Sequence, residues 1–285
     1  MRGTELPWSL LQAFHAQARA PLRIGALALF VLGVAWSGYM NHWTPWDAYT
    51  YLAAGERLNS GHELYRLGEG DRQVNMNFNG PRVPLMYPPL VAVLWRPFAA
   101  LGEWTVYAFM AITIVAVGWA TVRLSTTVTG CLAIILLFLP IGMLAQVGNV
   151  GALIFAAAVL AKPVPLVVLA AIKPVAIPLA AWAARRDPRR ALLAGGLCCA
   201  LSLTAGLDAH IEYLRVAAAT SGVGYALPFA PALLFAGTIA GAASYRVAIA
   251  ATVFGSPVVT FATLGLLAPL AHHSHAHSAK PTESR

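Results

Sequence analysis

Two charged side chains in this 285-residue sequence stand where charge is costly or pointedly placed, Asp47 and Lys173. Asp47 closes Thr44-Pro45-Trp46-Asp47, just beyond the apolar run Ile24 to Met40. A carboxylate opening a helix at the membrane surface can accept a proton from a hydroxyl arriving from water. The spacing equally fits a helix start with Thr44 as N-cap, Pro45 at the first helical position and Asp47 as the capping-box acid, worth about 1 kcal/mol without any chemistry. Lys173, followed by Pro174, interrupts the apolar stretch Pro163 to Ala184. A lysine in such a run costs about 2.5–3.5 kcal/mol on insertion scales and usually faces a cavity or a partner. Holding an anionic group such as a phosphate would suit it, as would pairing or snorkelling at a helix turn.

Other chemistry-bearing groups carry weaker signals. Arg57, Arg66, Arg72, Arg82 and Arg96 could each meet a phosphate, although solvated loops carry such charges routinely. Asp208, His210 and Glu212 lie close together without a metal-ligand spacing, so no metal site is expected from them. Trp43, Trp46, Tyr49 and Tyr51 fit an interfacial aromatic belt or a platform for a sugar. Cys131, Cys198 and Cys199 sit in apolar runs without a C-x-x-C pattern and read as buried small hydrophobes.

The elements that must position these residues are membrane helices. The chain is 59% hydrophobic and 11% charged, with mean hydropathy +0.67, far from the roughly 25% charged residues of soluble domains. That excludes an ordinary soluble enzyme, and spans of about 20 residues leave room for roughly eight to ten crossings. The net charge of +8 comes from basic residues at the ends of apolar runs, a topology pattern rather than a nucleic-acid-binding face. We therefore expect an all-α polytopic protein of a plasma membrane, forming a single integral domain over 1–285.

Charge also orients the chain. Between Asn41 and Glu103 lie six of the eleven acidic residues against five arginines, so by the positive-inside rule 41–103 is the large external loop. The spacing of Tyr51, Ala54 and Leu58 before Asn59-Ser60-Gly61 predicts a short amphipathic helix within it. Tyr87-Pro88-Pro89 opens a second interfacial helix running to Leu101, broken at Arg96-Pro97. Trp104 to Val122 crosses inward, Cys131 to Ala145 returns, Gln146 to Asn149 makes a polar outer corner, and Val150 to Ala161 goes back to Lys162. Keeping both Lys162 and the cluster Arg185 to Arg190 inside requires two short helices meeting at Lys173-Pro174. Ala191 to Leu207 goes out to a second external loop, 208–226. Leu227 to Ala243 returns, Ser256-Pro257 marks another outer turn, and the histidine-containing tail 271–285 is inside.

Several segments together resemble glycosyltransferase family 87. They are Trp46-Asp47-Ala48-Tyr49-Thr50-Tyr51-Leu52-Ala53-Ala54-Gly55, the following Gly61-x-x-x-Tyr65, and Tyr87-Pro88-Pro89-Leu90 with Arg96-Pro97-Phe98-Ala99-Ala100-Leu101. Gln146-Val147-Gly148-Asn149, Ile172-Lys173-Pro174 with its basic turn, and Tyr213-Leu214-Arg215 extend the likeness over roughly Trp36 to Arg215. The resemblance implies a GT-C-like fold and transfer of a sugar, mannose in the first place, from a polyprenyl-phosphate donor to a glycolipid or glycan acceptor. It implies Asp47 as the general base and Lys173 on the lipid-phosphate side; beside them we expect Tyr87, Gln146, Asn149 and the loop residue Arg82 as further substrate-binding residues, with membrane lipids as surroundings and neither cofactor nor nucleic acid required.

The donor class has independent support in the residues. Asp47, Asp71, Asp187 and Asp208 are too scattered for a paired Asp-x-Asp that would hold a metal-nucleotide diphosphate, and no Gly-rich phosphate loop follows a strand pattern. Two competing classes remain: a transporter or flippase for a lipid or sugar-lipid, which proline-broken helices and a midmembrane lysine would suit, and a shortened, inactive homologue acting as a subunit.

Overall fold

The computed structural model describes residues 8–68, 83–220, 230–255 and 261–271. Arg72, Arg82, Ser256-Pro257, the 221–226 part of the second loop and the histidines of the tail lie outside the described residues. Among the described residues the regular structure is entirely helical. In chain order the helices are α1 (Trp8–Met40), α2 (Trp46–Asn59), α3 (Pro89–Ala99), α4 (Trp104–Leu124), α5 (Val128–Gln146) and α6 (Val150–Leu160). They continue as α7 (Pro163–Ile172), α8 (Ile177–Arg186), α9 (Pro188–Leu203), α10 (Leu207–Thr220), α11 (Ala230–Gly241) and α12 (Tyr245–Phe254), with 3₁₀ turns over Pro174–Ala176 and Phe261–Ala271.

Among the described residues three helices are long and apolar enough to cross a membrane, over Ala20–Met40, Trp104–Leu124 and Val128–Gln146. A fourth span forms if Pro188–Leu203 and Leu207–Ala219, bent by 102°, are counted together. These helices fit a helical membrane protein, and by length and composition they account for three or four of the eight to ten crossings expected, the other apolar helices being shorter. The apolar run after the polar corner shows why: α6 has only 11 residues, about 16 Å of helix against a hydrocarbon core of about 30 Å. Burial inside the protein, not exposure to lipid, accounts for its hydrophobicity, since Val150 through Val159 are buried except Leu153.

The long helices show the opposite pattern. Ile24, Val31 and Leu32 of α1, and Ile112, Val115 and Trp119 of α4, are strongly exposed, as lipid-facing side chains must be when the solvent is hydrocarbon. Helices α1 and α5 meet through small residues: a Cβ on Gly33 would fall 2.4 Å from the Phe138 carbonyl oxygen, and one on Gly142 would fall 2.2 Å from the Gly33 carbonyl carbon. Close backbone approach of this kind replaces the hydrophobic effect as the packing device between membrane helices. Helix α5 kinks at Leu137, one residue past Leu136, whose carbonyl receives no hydrogen bond from Pro140 and is crowded by its ring.

Two sets of contacts fix the polarity of the bundle. At one end the Arg23 Nε donates to Ser125 Oγ at 3.2 Å, joining the start of the apolar Ala20–Met40 part of α1 to the turn between α4 and α5. At the other end Gln146, fully buried at the end of α5, clasps the end of α1: its Oε1 accepts from Ser37 Oγ at 3.1 Å and from Asn41 Nδ2 at 3.2 Å. Helices α1 and α5 thus run parallel with α4 antiparallel to both, and α2 begins at the Gln146 end.

The interfacial elements follow the predicted punctuation with one difference. Helix α2 stops at Asn59-Ser60-Gly61, where Gly61 has φ +70. Helix α3 continues through Arg96-Pro97 to Ala99 instead of breaking, because less than one turn follows Pro97 and its missing N–H forfeits a single hydrogen bond. Helices α7 and α8 pack against each other around Lys173-Pro174, the two-helix arrangement expected from the charge pattern. The start of the segment read as the second external loop is helix α10. The 102° bend before it folds Ala209, Tyr213 and Val216 onto Leu64, Tyr65, Leu85 and Ala92.

Candidate functional site

Asp47 sits in the first turn of α2, but its carboxylate does not cap the helix. The N-cap position is Pro45, no side chain caps the helix, and the Thr44 hydroxyl contacts the His42 carbonyl at 3.5 Å. What fixes the start of α2 is the neighbouring corner: the Asp47 backbone N–H donates to the Val147 carbonyl at 3.2 Å, and Gln146 Nε2 donates to the Thr44 carbonyl at 3.4 Å. A tertiary contact thereby replaces the local cap that the Thr44-to-Asp47 spacing suggests.

The carboxylate instead faces three elements. Asn149, the N-cap of α6, donates from Nδ2 to Asp47 Oδ2 at 2.6 Å, and the Tyr87 hydroxyl donates to Asp47 Oδ1 at 3.4 Å. Lys173, in extended backbone between α7 and the 3₁₀ turn, donates from Nζ to Asn149 Oδ1 at 3.0 Å and lies 5.7 Å from the centre of the Tyr87 ring. Asp47, Tyr87, Asn149 and Lys173 all keep part of their surface open to solvent. Four of the six residues singled out from the sequence therefore converge, from positions up to 126 residues apart.

Gln146, the fifth, lies beside this group, but its described hydrogen bonds go to Ser37, Asn41 and the Thr44 carbonyl. It acts as the clasp between helix ends. Arg82, the sixth, lies outside the described residues. The loop arginines that are described bond elsewhere: Arg57 to the Glu63 and Arg66 carbonyls, Arg66 to the Glu63 carboxylate at 3.1 Å, and Arg96 to Asn59 Oδ1 at 2.9 Å.

Gly148 makes the convergence possible. At φ +66 it turns the chain from α5 to α6, and a Cβ there would stand 3.0 Å from Ala48 Cβ and 3.3 Å from Pro45 Cβ. The corner can then press against the first turn of α2, bringing Asn149 within reach of Asp47. Behind Asp47 stands an aromatic wall that no sequence spacing brings together. Tyr51 is fully buried, packs edge-on against Tyr87 at 5.0 Å, approaches Trp95 at 5.7 Å and accepts from the Val150 N–H at 3.3 Å. It therefore does not belong to the interfacial belt expected of it, which Trp43 and Trp46, both about half exposed, do fit.

Burial pushes the Asp47 carboxyl above the ordinary carboxylate range, while the charge of Lys173 and the hydrogen bonds from Asn149 and Tyr87 pull it back. Burial likewise raises the Tyr87 and Tyr51 hydroxyls, so both remain neutral donors. The positive N-terminal end of α6 adds to the stabilisation of a carboxylate placed beside Asn149. The arrangement offers a carboxylate made more basic than a free one, with a cation one amide width away.

The second acidic group does not make a comparable site. His210 is engaged at both ring nitrogens, with Ser202 Oγ at 2.9 Å and the Gly206 carbonyl at 2.8 Å, and Glu212 pairs with Arg215 at 3.1 Å. Among the described residues no three His, Cys, Asp or Glu side chains gather closely enough to hold a metal ion. In comparisons with known proteins the chain matches no family, no curated protein and no solved structure.

Proposed function

We propose that this membrane protein is a GT-C-like glycosyltransferase, similar to family 87, that moves a sugar from a polyprenyl-phosphate donor to a hydroxyl of a glycolipid or glycan at the outer face of the plasma membrane. The observation that carries this reading is the direction of the Asp47 carboxylate. It turns away from its own helix and is held, part-open to solvent, between a neutral amide and a phenol, with Lys173 beyond the amide.

In the proposed reaction the acceptor oxygen attacks the anomeric carbon as its proton passes to Asp47, and the bond from that carbon to the phosphate oxygen breaks. The electron pair leaves with the polyprenyl phosphate, whose growing charge Lys173 offsets, and Asp47 later releases its proton to water. Attack on the face opposite the leaving phosphate inverts the anomeric centre. A single phosphate can be met by one or two cationic side chains, in keeping with the absence of an Asp-x-Asp pair from the sequence.

The test is donor use by the purified protein in detergent. It should transfer mannose from synthetic polyprenyl-phosphate-mannose in the presence of a chelator and ignore GDP-mannose. Direct use of GDP-mannose, or full dependence on a divalent ion, overturns the mechanism.

A further inference from the structure

Asn149 is expected from sequence to be a substrate contact, yet its hydrogen-bonding capacity is already committed. A side-chain amide offers two N–H donors and two acceptor lone pairs. Nδ2 donates to Asp47 Oδ2 at 2.6 Å and lies 3.4 Å from the Tyr87 hydroxyl. Oδ1 accepts from Lys173 Nζ at 3.0 Å and from the Gly151 N–H at 2.5 Å. The orientation of the amide follows, because the ammonium and the backbone N–H can only donate and must face the oxygen. A sugar hydroxyl would have to displace one of these four partners.

We infer that Asn149 is a positioning residue, an amide bridge through which Lys173 acts on Asp47, and that substrate meets Asp47 at Oδ1 and Lys173 at its remaining N–H groups. This deepens the proposed reading of Asp47 as a base and rests on it. The bridge keeps the two charges apart: no Lys173–Asp47 ion pair within 4.0 Å forms among the described residues. A direct pair would occupy the ammonium with the carboxylate, whereas the amide takes a single N–H of Lys173 and leaves two for an anion. Lys173 polarises the Asn149 carbonyl, which strengthens donation from Nδ2 to Asp47. The carboxylate is gripped unevenly, by a short bond of 2.6 Å on Oδ2 and a long one of 3.4 Å from Tyr87 on Oδ1; the longer bond is the weaker, so Oδ1 is the oxygen more readily given up to a proton.

The titratable and charged groups that bear on Asp47 are Tyr87 from the segment before α3, Tyr51 from α2 itself and Lys173 from the break after α7. Helices α3 and α4 bring Trp95 and Phe109, which are uncharged, and Tyr107, whose hydroxyl bonds that of Tyr49 at 3.2 Å.

The experiment reads the protonation of Asp47 directly and needs no sugar donor. The full-length protein in detergent is treated with a hydrophobic carbodiimide, which modifies protonated carboxyls, across a pH series, and the adduct on the Asp47 peptide is quantified by mass spectrometry. Asp47→Asn defines the background. Asn149→Ser keeps a side chain able to cap α6 but too short to bridge; Lys173→Met leaves the cap untouched. Both should move the labelling midpoint upward by about one pH unit or more, and the double variant should move it no further than the larger single shift, as expected for one coupled chain. Lys173→Arg should restore most of the wild-type profile. An unchanged midpoint in folded Lys173→Met, or additive shifts in the double variant, overturns the bridge. A normal set of shifts with no sugar transfer from any donor would instead retain the bridge and remove the transferase reading.

Discussion

Replacing Asp47 by Asn separates chemistry from architecture at this site. Asparagine is nearly isosteric, its carbonyl can still accept from Asn149 Nδ2, and its amino group can face the Tyr87 oxygen. Since no side chain caps α2, no capping energy is lost. Two opposing terms remain. The variant escapes the cost of burying a carboxylate, and it loses the attraction of Lys173. With the hydrogen bonds retained, the net change in stability should stay within about 1 kcal/mol, a thermal shift of a few degrees at most.

The rate should fall far more. Loss of a positioned base removes about 10²–10⁴, equivalent to about 3–5 kcal/mol of barrier at about 1.36 kcal/mol per decade. The assay is single-turnover transfer from polyprenyl-phosphate-mannose, run beside a melting curve of the same preparation. Asp47→Ala is the companion: it leaves the Asn149 N–H without its acceptor and should cost a further ~1–3 kcal/mol of stability while losing no more activity than Asp47→Asn. Wild-type turnover by Asp47→Asn refutes the assignment. So does an activity loss that tracks unfolding across both variants.

Wild-type activity should fall on the acid side through a midpoint above the usual carboxylate value of about 4, because burial raises Asp47 and only the ionised form is a base. The same raised value means that this site favours folding most in acid and gives up that contribution as pH rises through the folded-state midpoint. A pH–rate profile with its acid limb at or below about 4 would contradict the burial. Lys173→Met should raise the apparent KM for the lipid donor about tenfold or more while leaving acceptor KM unchanged, which initial-rate kinetics will show. Gly148→Ala should destabilise by about 1–2 kcal/mol for its left-handed backbone and, by pushing the corner off Ala48 and Pro45, lower turnover at least about tenfold. Gly61→Ala, also at positive φ but with nothing within 4 Å, should show the backbone cost alone and keep activity. Single cysteines at Gly61 and Arg189, in a background lacking Cys131, Cys198 and Cys199, should be labelled by an impermeant maleimide in intact cells at Gly61 only.

Much of the helical order is legible because prolines, glycines and polar pairs punctuate the apolar runs. Asn59-Ser60-Gly61 ends α2, Pro88-Pro89 opens α3, and Lys173-Pro174 divides α7 from α8 as the charge rule requires. Length of crossing is not legible in the same way. Val150 to Leu160 is as apolar as a lipid-facing helix, yet it is a short helix enclosed by protein. Hydropathy registers removal from water and does not distinguish lipid from side chains as the replacement.

The site shows the same division between residue and direction. Asp47 is conspicuous in the sequence, but Thr44-Pro45-Trp46-Asp47 satisfies a local capping pattern, and nothing local says that the pattern goes unused. The deciding residue is Gly148, about a hundred positions on, whose missing Cβ admits the corner against Ala48. The two amides of that corner look interchangeable in sequence, three residues apart in one polar turn. The left-handed turn at Gly148 separates their fates: Gln146, still helical, points back to Ser37 and Asn41 at the end of α1, whereas Asn149, already extended as the cap of α6, points to Asp47 and Lys173. Which amide serves the fold and which the carboxylate is therefore a consequence of one backbone angle, and the Gly148→Ala variant tests that consequence by straining the one residue that holds the two roles apart.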